Sequence, residues 1–224
     1  MLNNIKAAII DLDGTMLDTA PDFLVAINRM RAEFDLEPLE LETIKTFVGK
    51  GSENLIQRVL AVDYSEQQVN RHFNAAMAAY QTHYLAINGD HSELYPDVLE
   101  GLQAMRSMGL KLACVTNKPI AFTTPLLAKK GLDGFFDLVY GGDSLARKKP
   151  DPLPLLQVCS DFDLSAAQVV AIGDSSNDAL AARAAGCPVL SVPYGYNHGE
   201  AIQNIDSDGI VETLLEAARL ISIN

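Results

Sequence analysis

Four polar clusters interrupt an otherwise apolar chain: Asp11-Leu12-Asp13-Gly14-Thr15, Thr116-Asn117-Lys118, Lys148-Lys149-Pro150-Asp151 and Gly173-Asp174-Ser175-Ser176-Asn177-Asp178. Asp11 and Asp13 flank a single residue just after the apolar run that begins at Ala7, so both carboxylates can be presented to one small site. Two carboxylates that close repel each other. A divalent cation relieves the repulsion, or one of the pair keeps a proton and serves as an acid. Either arrangement suits phosphoryl transfer. Asp174 and, one helical turn later, Asp178 add anionic oxygen, and a set of oxygen ligands without His or Cys favours Mg²⁺. Thr116, Asn117 and Lys149 are placed to donate to the phosphoryl oxygens, and Gly14 and Thr15, in the turn beside Asp13, complete the substrate-binding candidates. In this scheme Asp11 attacks phosphorus, and Asp13 protonates the departing oxygen before activating water.

Each cluster alone also has a plainer reading. Asp13-Gly14 can be a turn, Thr116-Asn117 a helix cap, Lys149 a solvated lysine before a proline, and Asp174 with Asp178 the charged start of a helix. Their joint order favours the chemical reading, because each follows a segment that reads as a strand.

The elements that must position them alternate in type. Ala7 to Asp11 suits a buried central strand. Further strands are expected at Leu110–Val115, Leu138–Tyr140, Val169–Ile172, Val189–Val192 and Gly209–Val211, with helices between them. That pattern predicts an α/β fold with a doubly wound, Rossmann-like parallel sheet, whose ligands bind beyond the carboxyl ends of its strands. Pro21 to Tyr84 instead reads as a set of helices, with Ser52 onward, through Leu55, Ile56, Val59 and Leu60, supplying one of them. Phe23, Ile27, Met30 and Phe34 share one face, Val69, Phe73, Met77, Tyr80 and Tyr84 another, and Ser65 with Gln68 forms a capping box. The expected organisation is a core of residues 1–17 and 90–224, with a helical cap of residues 18–89 inserted after the first strand.

Bulk composition limits the partners. Seventeen Lys and Arg against 29 Asp and Glu give a net charge of −12, which disfavours nucleic acid. Cys114, Cys159 and Cys187 show no metal or disulfide spacing and read as core thiols. The first residues lack the pattern of a secretory signal, and no apolar run approaches the roughly 20 residues of a membrane span, so a cytoplasmic protein without a membrane partner is expected. It is expected to be a monomer or weak homo-oligomer acting on a small phosphorylated metabolite.

The ordered clusters, read as Asp11 to Asp18, Val115-Thr116-Asn117, Lys149-Pro150-Asp151-Pro152 and Gly173 to Asp178, resemble the four motifs of the haloacid dehalogenase superfamily. The resemblance implies that Asp11 is the nucleophile and a Mg²⁺ ligand. It makes Asp13 the acid/base, with its backbone carbonyl on the metal, and Asp174 a further ligand. Thr116 and Lys149 become the phosphate-binding pair, and Asp178 a group that orients Lys149 or a metal-bound water. Phe47-Val48-Gly49-Lys50-Gly51 and Tyr194-Gly195-Tyr196-Asn197 resemble stretches of phosphoglycolate phosphatases. Lys50, if it points inward from a tight loop, would meet a carboxylate on the substrate and is otherwise an exposed loop lysine; Arg58 on the following helix is a second candidate. A phosphosugar mutase of the same superfamily and a phosphoacceptor signalling module are the rival functions. The long helical insert speaks against the second, and the presence of Asp13 speaks against a dehalogenase.

Overall fold

The computed structural model describes residues 2–221. The first strand, β1 (Ala7–Ile10), is wholly buried and ends at Asp11. A tight turn follows, in which Leu12 O accepts from the amides of Thr15, Met16 and Leu17. The chain then runs through β2 (Leu17–Asp18) into four helices, α1 (Ala20–Ala32), α2 (Leu41–Lys45), α3 (Ser52–Leu60) and α4 (Glu66–Ile87). It returns through β3 (Glu93–Leu94), which pairs antiparallel with β2. This small ribbon carries both crossings between the insert and the rest of the chain.

Alternation then resumes with α5 (Val98–Ser107), β4 (Lys111–Val115), α6 (Ile120–Lys129), β5 (Leu138–Tyr140), α7 (Leu153–Phe162), β6 (Val169–Gly173), α8 (Ser176–Ala185), β7 (Val189–Ser191), β8 (Gly209–Ile210) and α9 (Leu214–Leu220). The six-stranded sheet has the order β5-β4-β1-β6-β7-β8, and all its pairings are parallel. Each expected strand is present, with ends moved by at most a residue.

Side chains alternate across β1, and the two faces build separate cores. Ala8 and Ile10 pack with α5, α6 and α9 through Leu102, Leu126 and Leu214, while Ala7 and Ile9 pack with α7 and α8 through Val158 and Ala182. The result is a three-layer α/β/α arrangement, which requires strands apolar on both faces. The three cysteines are free and buried, as their apolar settings suggest.

The insert has a third core, in which Ile27, Met30, Ile56, Val59, Tyr80 and Tyr84 pack together. Phe122 and Tyr196 join it from outside the insert. Arg31, though only 1% exposed, is satisfied by Glu37 O, Val59 O and Asp63. Ser65 and Gln68 form the capping box that opens α4. The helical reading of Pro21 to Tyr84 is broken between α1 and α3, where residues 33–40 are non-helical and α2 is a single short turn. Pro38 accounts for part of that break, since it disfavours helix at the residue before it. Among the described residues, no helix is long and apolar enough to cross a membrane.

Candidate active site

The chain order reverses at β1, which lies between β4 and β6, and the crevice at such a switch point is where open α/β sheets bind ligands. Ile10 is level with Cys114 on one side and Ile172 on the other. Asp11, Thr116 and Asp174 therefore leave three adjacent strands at nearly the same height. Together with Asp13, Asn117, Lys149 and Asp178 they line a cavity of about 560 Å³, counting its open mouth.

Lys149 is the charge centre of the floor. Its Nζ donates to Val115 O and to Asp178 Oδ1, each at 2.6 Å, and lies 2.9 Å from Asp11 Oδ1. These anions hold the ammonium well above its ordinary range despite burial. Lys148 turns away toward Glu53, at 3.6 Å. Asp178 also accepts from Ser175 N and Oγ. Both of its oxygens are thus occupied, one by the Lys149 ammonium and one by Ser175.

Asp174 is 3% exposed and accepts from Thr15 Oγ1 at 3.1 Å and Tyr196 N at 2.7 Å. Two glycines make room for it. A Cβ on Gly14 would stand 2.4 Å from Asp174 Oδ2, and one on Gly195 would stand 2.2 Å from Asp174 Cβ. Gly14 also adopts a φ of +86°, which side chains disfavour. Expected to touch substrate, Gly14 and Thr15 instead sit behind Asp174 and do not line the cavity, because the turn after β1 directs them at that carboxylate.

Carboxylate oxygens of Asp11, Asp174 and Asp178 lie within 4.8 Å of one another. Burial, with the neighbouring acids, pushes Asp11 up to about 8 against the opposing pull of Lys149. Burial and then Asp178 push Asp174 up to about 7. Such a cluster carries more negative charge than its surroundings neutralise, and its all-oxygen donors fit a hard divalent cation. Of the three, Asp178 makes the shorter contact with Lys149, 2.6 Å against 2.9 Å for Asp11.

Asp13 faces the other way. Its Oδ1 accepts from Thr19 Oγ1 at 2.7 Å and lies 3.0 Å from Lys118 Nζ. Its side chain is 10% exposed and borders the cavity. Thr116 Oγ1 accepts from Lys118 N, which leaves its hydroxyl proton free to point at a ligand. Asn117 lines the cavity but spends its Nδ2 on Lys149 O and Gly49 O.

The insert closes the cavity through Phe23, Val48, Gly49, Gly51, Ser52 and Leu55. Gly49 O is held twice, by Asn117 Nδ2 at 3.0 Å and Asn177 Nδ2 at 3.1 Å. The loop reaches the site by its backbone. Lys50 is exposed and does not line the cavity, so the expected inward lysine is not found there. Arg58 is likewise absent from the lining: it donates to Thr46 O at 2.6 Å and lies 4.4 Å over the Phe47 ring.

Sequence reasoning assigned no chemistry to Lys118 or Asn177, and gave Tyr196 only a resemblance. The Tyr196 hydroxyl accepts from Thr19 N at 2.7 Å and Ala20 N at 2.9 Å and donates to Asp18, while its amide holds Asp174. One residue thus ties the acidic cluster to the start of the insert. A tyrosine after a glycine was the available signal, but the partners of its hydroxyl lie more than 170 positions away.

The family model described as haloacid dehalogenase-like hydrolase matches residues 8–192. A phosphoglycolate phosphatase of Thiobacillus denitrificans is 48% identical over 97% of this chain and 96% of its own. One from Nitrosospira multiformis is 48% identical over the same shares. A crystal structure from Haemophilus somnus, described as a predicted phosphoglycolate phosphatase, superimposes with a TM-score of 0.92 at 31% identity, covering 98% of this chain and 99% of that one. The match spans β1 through β7, and with them the strand ends that carry Asp11, Thr116 and Asp174. The chain belongs to the haloacid dehalogenase-like hydrolases.

Proposed function

We propose that this protein is a magnesium-dependent phosphomonoesterase whose substrate is 2-phosphoglycolate or a close analogue. The observation that carries the reading is the convergence of Asp11, Asp13, Thr116, Lys149 and Asp174 on one enclosed cavity. The phosphoglycolate phosphatases to which the chain is similar support the choice of substrate.

In this mechanism Lys149 and the Thr116 hydroxyl hold the phosphoryl oxygens while an Asp11 oxygen attacks phosphorus. The ester P–O bond breaks as Asp13 gives its proton to the departing oxygen. An aspartyl-phosphate on Asp11 results. Asp13 then takes a proton from water, which attacks phosphorus, breaks the bond to Asp11 and releases phosphate. Asp11, Asp174 and the Asp13 carbonyl would hold the magnesium ion, which would supply positive charge to offset the acidic cluster and the phosphoryl oxygens. Asp178 keeps Lys149 in place. The helical insert acts as a cap that keeps bulk water out.

The test is phosphate release from 2-phosphoglycolate beside ethyl phosphate and glucose 6-phosphate, with and without Mg²⁺. Magnesium-dependent release with 2-phosphoglycolate clearly preferred is the expected result. Isomerisation of a hexose phosphate without phosphate release would overturn it in favour of a mutase.

A further inference from the structure

The cavity is lined by two cationic side chains, Lys149 and Lys118. Lys149 is committed to Asp11, Asp178 and Val115 O, where the phosphoryl group would sit. Lys118 is placed differently. Its side chain is 2% exposed, and its Nζ lies 3.0 and 3.3 Å from the two oxygens of Asp13. It also stands 4.5 Å from the centre of the Phe23 ring and 4.7 Å from that of Tyr84. The lysine comes from the loop after β4, whereas the rings come from α1 and α4 of the insert. This charge therefore sits where the two parts of the molecule meet.

An ammonium has three donors, and the hydrogen bonds of this one go to a single carboxylate. Two aromatic faces offset its removal from water, which leaves it desolvated and able to take another anion. Beside it, the Tyr84 hydroxyl is buried with no hydrogen-bond partner among the described residues. Burial and then the Asp13 charge hold that phenol well above its ordinary range, so it stays a donor.

Substrate geometry supplies the remaining step, and it rests on the phosphomonoesterase reading above. Asp13 serves the ester oxygen. In a phosphorylated 2-hydroxy acid the carboxylate is on the carbon that bears that oxygen. A cation adjoining Asp13 is therefore adjacent to the substrate carboxylate.

We propose that Lys118, seated between Asp13 and the Phe23 and Tyr84 rings, is the specificity residue that binds the carboxylate of the substrate. Exposed Lys50 has no part in this recognition. A neutral-tailed phosphomonoester would leave the Lys118 contact unused.

The test compares kcat/KM for 2-phosphoglycolate and ethyl phosphate in the wild type, Lys118→Met and Lys118→Gln. The glutamine variant retains a donor for Asp13 should the methionine variant not fold. The expected result is a fall of about tenfold or more in the preference for 2-phosphoglycolate, borne by KM, which is about 1.4 kcal/mol. Equal loss of kcat on both substrates with the preference intact would overturn the proposal, because Lys118 would then act only by positioning Asp13. A wild type without any preference for 2-phosphoglycolate would instead refute the substrate reading, and the proposal with it.

Discussion

The two walls of the cavity are built on different principles. The sheet wall presents charge from adjacent parallel strands, and its groups interlock: Lys149 bridges Asp11 and Asp178, while Thr15 and Tyr196 hold Asp174. The insert wall presents Phe23, Val48 and Leu55 together with the backbone of Gly49 and Gly51, and it touches the sheet side through hydrogen bonds to one carbonyl. On the proposed function, the chemistry common to any phosphomonoester falls to the first wall, and selection of the ester to the place where the second wall meets it.

The sharpest challenge to this division is Asp11→Asn, expected to lower magnesium-dependent turnover by about 10³-fold or more, as removal of a nucleophile does. Single-turnover kinetics checks it, and retention of activity would mean that the sheet wall does not carry the nucleophile. Next is Gly195→Ala. Its Cβ would fall 2.2 Å from Asp174 Cβ, so the carboxylate must move. Metal affinity measured by calorimetry should drop by about tenfold or more, as when a group that orients metal ligands is lost.

Stability against pH examines the same wall without substrate. Asp11 and Asp174 are raised in the folded protein to about 8 and about 7, so with chelator present their contribution is complete below the usual carboxylate range, near pH 4. It is lost as pH rises through 7 and 8, because the unfolded chain gives up these protons earlier. The melting temperature in EDTA should therefore fall over that range, and added Mg²⁺ should flatten the slope. An unchanged slope would show that the cation does not meet these carboxylates.

Two smaller effects concern the insert. Tyr196→Phe removes the oxygen that satisfies the amides of Thr19 and Ala20, at a cost of about 1–3 kcal/mol, or about 2–4 °C per kcal/mol in a chain of this size. Thermal denaturation reads it. Lys50→Met should change KM for 2-phosphoglycolate less than about threefold, since rim charges contribute little. A large rise would return carboxylate recognition to the loop and contradict the assignment to Lys118.

Asp11, Thr116 and Asp174 follow apolar runs that form buried parallel strands, and parallel strands deliver their carboxyl ends to one edge. The ribbon of β2 and β3 left no signal, because two-residue strands show no periodicity. Lys50 and Lys118 look alike as letters, each beside polar or small residues.

Linear order determined the α/β/α architecture, the helical insert after β1 and the acidic floor of the site. In those cases residue type and period decide the outcome locally, and the sheet then gathers the ends. Tertiary structure alone decided that Gly14 and Thr15 serve Asp174, that Tyr196 ties Asp174 to the insert, and that the desolvated second cation is Lys118. Each depends on a contact between distant positions, such as Asp13 with Lys118, separated by 105 residues. A side chain's burial and free donors come from what packs around it, which no local pattern encodes.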